Sequence, residues 1–211
     1  MNWYRNSNLD GKHAVLSPSK WQWINDDEEG IIKRLRSMYA QEIGTILHKV
    51  AEEHIIFGQK LKNAVKSEVI LRLRKEGIPG IVVDSLDFDA MFENLMNYVN
   101  DAIGFRMEVE MPLEYSKFCF GHADAIQFYD NKRFLRIHDL KTGTTPAHME
   151  QLIDYAAIFC LQYHFKPYEI ESELRIYQGG EIISYSPTPE DLLPVMDQIV
   201  EKDKFLKSII S

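Results

Sequence analysis

The chain has 211 residues and a formal net charge of -8, with 45% hydrophobic and 27% charged residues. This composition excludes collagen-like and intrinsically disordered classes, and the length suits one domain with a full core better than two. The acidic balance counts against a general nucleic-acid binder, because phosphate contacts require cations. It leaves room for a phosphodiester-cleaving enzyme, whose metal ligands are carboxylates and whose cations need only line one groove. The leading residues Met1 to Ser7 carry no apolar run behind a basic start, and no segment has the apolar length to cross a bilayer. The two cysteines, Cys119 and Cys160, cannot make a four-cysteine iron–sulfur or zinc site and are expected reduced in the core. A cytoplasmic, intracellular protein with no membrane partner is the expectation.

Ser17-Pro18 reads as a helix start, with serine at the cap and proline at the first helical position. Trp21, Trp23 and Ile24 follow and are expected to pack in the core rather than stack on bases. A short basic helix is expected from Ile31 to Tyr39, then a long helix from Gln41 to Phe57. In the second, Ile43, Ile46, Leu47, Val50, Ala51 and Ile55 recur at helical spacing. Gly44, Thr45, His48 and Glu52 share its adjoining stripe. Lys60 to Lys75 reads as a basic amphipathic helix, either a solvated face or a phosphate-contacting one. Gly77 to Gly80 breaks the chain, and Asp87 to Ile103 resumes as helix.

From Arg106 the apolar period changes to two. Met107–Met111, Phe118–Tyr129 and Phe134–Leu140 read as three successive strands, and Pro146–Phe165 as a helix. A hairpin turns at Gln178–Gly180 between strands Glu169–Tyr177 and Glu181–Tyr185. Thr188-Pro189 then caps a last helix to about Ile209. The order predicts one α/β domain over 1–211, with a mixed central sheet of about five strands flanked by helices. A helical part spans 1–104, the sheet and core 105–187, and a C-terminal helix 188–211.

The stretch from Gly121 to Tyr155 carries the chemistry. Asp124 lies in an otherwise apolar strand, where an ionised carboxylate is costly unless paired or bound to metal. Asp139 ends the next strand in a similar setting, and adjacent antiparallel strands can bring the two acids close enough that a divalent cation relieves their repulsion. Lys141 stands two residues beyond Asp139, on the same strand face. Any one of these alone is an ordinary ion-paired residue; together they suit metal-dependent cleavage of a phosphodiester. Gln151 and Tyr155 follow on a helix one turn apart. His122 and His138 read as packing or supporting residues, and His48 with Glu52 and His54 fits no common zinc spacing.

Gly121-x-x-Asp124, then Asp139-x-Lys141-Thr142-Gly143, then Gln151-x-x-x-Tyr155, preceded by Gly44-Thr45-x-x-His48, resembles the RecB-like branch of the PD-(D/E)xK nucleases. The resemblance covers about residues 40–178 and implies a restriction-endonuclease-like fold. It implies that His48, Asp124, Asp139 and the Leu140 carbonyl ligate one or two Mg²⁺ or Mn²⁺ ions. Lys141 would be the catalytic lysine, Gln151 and Tyr155 would support the site or contact DNA, and Glu110 would sit just outside the ligands. Without iron–sulfur cysteines or helicase motifs, the chain is closer to phage and mobile-element exonucleases. The implied function is a stand-alone DNA exonuclease in recombination, repair or phage DNA processing, in a bacterial or phage-infected cell. DNA is the implied partner, with room for a single-strand annealing or recombination protein and for a homo-oligomer. The rival readings are a catalytically silent nuclease-fold protein that binds nucleic acid or assembles with partners, and a metal hydrolase of small phosphoesters.

Overall fold

The computed structural model describes residues 6–9, 14–143 and 145–210, so the reading of the leading residues Met1–Arg5 lies outside them. Four helices come first: α1 (Glu28–Ile56), α2 (Lys66–Lys75), α3 (Gly80–Asp84) and α4 (Phe88–Phe105). Then come β1 (Glu108–Ser116), β2 (Cys119–Tyr129), β3 (Phe134–Leu140), α5 (Glu150–Tyr163), β4 (Glu171–Gln178), β5 (Glu181–Tyr185) and α6 (Pro189–Ile210). The five strands form one mixed sheet in the order β1-β2-β3-β4-β5, antiparallel except for the parallel pair β3–β4. Parallel neighbours need a crossover, and α5 supplies it. The expected α/β class and the expected five-stranded mixed sheet are therefore what the chain adopts. No helix among the described residues is long and apolar enough to cross a membrane.

The sheet is covered on both faces. On one face Met107, Ala125, Leu140 and Tyr177 pack with the buried stripe of α1 and the apolar side of α4. On the other, Ile126, Leu135, Ile137, Leu174 and Ile176 pack with Leu152, Ala156 and Phe159 of α5 and Leu192 of α6. Alternation along β3 divides its residues between these layers, as the period-2 pattern requires. Tyr177 is fully buried; its hydroxyl donates to Asp101 of α4 at 2.7 Å and lies 3.1 Å from His138 Nδ1. His138, also fully buried, is held neutral: burial, then Arg175 and Arg136, pull its pKa down to about 2. It is a core residue packed against Phe105 and Tyr177.

Four local expectations differ from the structure. The two helices expected around Ala40 are one, α1, because nothing between Tyr39 and Gln41 stops it; Asp27 caps it by accepting the Gly30 N–H. The basic helix begins at Lys66 rather than Lys60, since the Asn100 amide captures both the N–H and the carbonyl of Leu61. Its cations are largely neutralised: Arg72 pairs with Glu53, Arg74 with Asp84, and Lys66 with Asp89. The Trp21–Ile24 segment is a 3₁₀ turn outside the core, with Trp21 62% and Ile24 69% exposed. Finally, α5 starts at Glu150, leaving Pro146 to Met149 in the loop that leads to it.

Removing the Tyr177 hydroxyl leaves Asp101 and His138 facing an apolar edge. Tyr177→Phe is expected to lower stability by about 1–3 kcal/mol in urea denaturation; an unchanged midpoint would show that the buried hydroxyl contributes nothing net.

Candidate active site

The site forms where β2 and β3 part. Their pairing is last at Ala125 opposite His138, whereas β3 stays paired with β4 as far as Leu140 opposite Tyr177. The next opposing positions are Asp124 and Asp139. Leu140 therefore has no strand partner on the β2 side, and its N–H and carbonyl need other partners. Asp124 Oδ2 accepts the Leu140 N–H at 3.0 Å, and His48 of α1 places Nε2 2.9 Å from the Leu140 carbonyl. A carbonyl only accepts, so Nε2 carries a proton, and the other ring nitrogen, Nδ1, faces Asp124 Oδ2 3.6 Å away.

Glu110 of β1 completes this cluster: His48, Glu110 and Asp124 each offer a ligand atom, all within 4.8 Å of one another. Its backbone is in the left-handed region, with φ of 51°. A non-glycine residue there costs on the order of 1–3 kcal/mol. The turn also switches the strand between faces. Val109 packs with the α1–α4 layer and Met111 with the α5 layer, although residues two apart in a regular strand share a face.

Asp139 lies on the other side of the parting, 4% exposed. Its Oδ1 accepts from Lys141 Nζ at 3.1 Å, while Oδ2, 3.0 Å from the same ammonium, has no hydrogen-bond partner. Lys141 Nζ also donates to Gln151 Oε1 of α5 at 2.9 Å, and the Lys141 N–H donates to the Tyr177 carbonyl. One turn further along α5, the Tyr155 ring lies over Gly121 so closely that a Cβ there would sit 2.9 Å from it. On the opposite flank a Cβ on Gly44 would come 3.0 Å from Thr142 Oγ1, so α1 lies close against the loop after Lys141. The Thr45 hydroxyl is spent on the Gln41 carbonyl of its own helix.

Burial, then the Asp139 charge, pushes the Asp124 carboxyl up to about 6, against the opposing pull of His48 and the Leu140 N–H. Burial likewise raises Asp139, opposed by Lys141 and His48. Burial raises the Tyr155 phenol, opposed by its hydrogen bond with Gln151 and reinforced by the carboxylates of Asp124, Asp139 and Glu110. Buried Asp139, half-buried Asp124 and exposed Glu110, with one ammonium against Asp139, make a site short of positive charge.

A divalent cation fits that deficit. The clustered donors are two carboxylates and an imidazole nitrogen, all within 4.8 Å of one another. Mixed oxygen and imidazole donors suit Mn²⁺ somewhat better than Mg²⁺. Of the residues singled out in the sequence, His48 and Asp124 stand in the cluster, while Asp139 is engaged by Lys141. The Leu140 carbonyl faces His48, and Gln151 and Tyr155 flank the lysine. Glu110, read from sequence as lying outside the ligands, stands in the same cluster as His48 and Asp124; its backbone turn leaves no mark in the residue pattern. His122 is exposed. No protein-family model matches the chain, and no curated protein matches it.

A carboxyl whose pKa is higher folded than unfolded stabilises the fold fully below its ordinary 3.8 and withdraws that stability as pH rises through about 6. With divalent cations chelated, Asp124→Asn is therefore expected to be the more stable protein near neutral pH, by on the order of 1–3 kcal/mol. Its advantage over the parent should shrink as the pH is lowered toward 4. Thermal melts across that range check this; an Asn variant less stable at neutral pH would show that Asp124 is not held at a cost.

Proposed function

We propose that the protein is a metal-dependent deoxyribonuclease, acting as an exonuclease. The observation that carries the reading is an ammonium, Lys141, braced by Asp139 and Gln151 beside the His48–Glu110–Asp124 cluster. The ordered resemblance of the motifs at His48, Asp124, Asp139-x-Lys141 and Gln151-x-x-x-Tyr155 to the RecB-like PD-(D/E)xK nucleases supports it. So does the sheet they stand on.

Asp124, Glu110 and His48 Nδ1 would hold the ion, with Asp139 close by. A bound Mg²⁺ or Mn²⁺ supplies Lewis-acid polarisation of a phosphate oxygen. Lys141 places positive charge where the phosphoryl group gathers negative charge, and its two braces fix the ammonium in advance, so little reorganisation accompanies reaction. Gln151 orients the lysine from α5. Tyr155, seated on Gly121, walls the site on that side. Asp124 must be ionised to hold a cation, so metal uptake weakens as the pH falls below about 6.

The paired cations of α2 favour a second reading, a nuclease-fold protein that binds or assembles without cutting. End-labelled linear and covalently closed circular DNA, each incubated with Mn²⁺, separate the two. The nuclease degrades the linear form progressively from its ends and spares the circle, and Mn²⁺ raises its melting temperature. Lys141→Ala is expected to lower the cleavage rate by about 10²-fold or more with the fold retained. Full activity in that variant removes Lys141 from the chemistry, and no cleavage by the parent protein favours the silent reading.

A further inference from the structure

The sheet has two edges, and they differ. β1, at one edge, is guarded against pairing with another strand. Pro112 has no N–H to offer, Glu110 turns the backbone left-handed, and the register with β2 shifts between Glu114 and Ser116. Proline, irregular backbone and charges such as Glu108, Glu110 and Glu114 are what keep an edge strand from templating a foreign one. β5, at the other edge, has neither proline nor turn, and its one charge is Glu181 at its start. Its register with β4 runs unbroken from Glu181 opposite Gln178 to Tyr185 opposite Leu174. Every residue of β5 is exposed, Ile182 43% and Ile183 44%.

The turn before β5 fixes which of its backbone groups are open. Gly179 and Gly180 both have positive φ, 62° and 82°, as the central residues of a type I′ hairpin turn require. Such a turn is closed by a hydrogen-bonded pair, here Gln178 and Glu181. Along an antiparallel ladder these pairs alternate with non-hydrogen-bonded ones. Glu181, Ile183 and Tyr185 therefore spend their N–H and carbonyl groups on β4, while Ile182 and Ser184 turn theirs outward. Among the described residues only β4 is paired with this strand. The open groups stand symmetrically on either side of Ile183.

We infer that β5 pairs with β5 of a second copy of this chain, antiparallel about a two-fold axis through Ile183, joining the two sheets into one. The inference does not depend on the nuclease reading. The edge is complementary to itself. Ile182 of each copy lies opposite Ser184 of the other and exchanges both hydrogen bonds with it, so every open group is used. Ile183 meets its own counterpart at a non-hydrogen-bonded position, where side chains stand closest. Glu181 comes opposite Tyr185, so no like charges face each other directly. Pairing consumes both open edges and leaves only the two guarded β1 strands outermost, so growth stops at two copies. Five residues a side are far fewer than the roughly 20–30 a side of a stable interface, so the dimer is reversible, with a dissociation constant of about 1–100 µM. The axis stands normal to the sheet. Each His48–Glu110–Asp124 cluster stays whole within its own copy, and the two clusters lie toward opposite ends of the joined sheet.

The test is sedimentation velocity of the full chain over a concentration series spanning that constant, in about 0.15 M salt, which screens the repulsion between two chains of net charge -8. The parent is expected to pass from a 24.6 kDa species to one of twice that mass. Ser184→Pro removes an outward donor and leaves the ladder to β4 intact. Ile183→Lys sets like charges against each other on the axis. Each is expected to weaken association about tenfold or more. Oxidation reads the register. Ile183→Cys is expected to cross-link two copies, because Cα atoms of a non-hydrogen-bonded pair lie about 4.5 Å apart, within reach of a disulfide. Ile182→Cys, offset from its counterpart, should cross-link no faster than the parent, whose Cys119 and Cys160 set the background. A chain that stays monomeric throughout overturns the inference. So does a dimer that both variants leave unchanged, or one in which Ile182→Cys cross-links as readily as Ile183→Cys. If Ser184→Pro fails to melt cooperatively, Ile183→Lys and the cross-links decide.

Discussion

The site depends on one mismatch in strand length. β3 continues beside β4 after β2 has left it, and Leu140 is left with an N–H and a carbonyl facing an empty lane. A buried backbone pair cannot stay unsatisfied without a cost comparable to a lost hydrogen bond. Asp124 takes the N–H and His48 takes the carbonyl, and in doing so a carboxylate from the sheet and an imidazole from α1 are brought to the same point. The same contact keeps a proton on Nε2 and aims Nδ1 at Asp124.

That arrangement is electrostatically expensive, and the expense is informative. Asp124 and Asp139 stand opposite one another across the parting, both largely buried, with Glu110 near Asp124 and only Lys141 placed against Asp139. Protonation near pH 6 is one way for Asp124 to shed the strain, and a divalent cation is another. Glu110 adds to the account in a different form, since its left-handed backbone both aims the side chain and turns β1 over.

Close approaches set the walls. Gly121 admits the Tyr155 ring, where a Cβ would sit 2.9 Å from it, and Gly44 lets α1 lie close to the Thr142 hydroxyl. Gln178 holds the loop after Lys141 by three hydrogen bonds, and Tyr177 ties β4 to α4 and to His138 just behind it. The lysine is thereby positioned from β3, β4 and α5 at once.

Most of the fold was legible in the residue pattern. The period-2 runs marked all five strands, β3 and β5 to the residue, and the 3.6-residue stripe of Ile43 to Ile55 marked the buried face of α1. Asp124, Asp139 and Lys141 stood out because acids in apolar strands need a reason. Other features were decided at a distance. Asn100 capturing Leu61, the carboxylates that neutralise α2 and the exposure of Trp21 all depend on contacts or missing contacts far along the chain. The end of the β2–β3 ladder and the positive φ of Glu110 are likewise set by packing between layers. Local sequence therefore determined which faces are apolar and which acids are out of place. Only the tertiary structure decided that His48 meets Leu140, that Glu110 joins Asp124, and that Asp139 belongs to Lys141, because backbone satisfaction across strands is a non-local constraint.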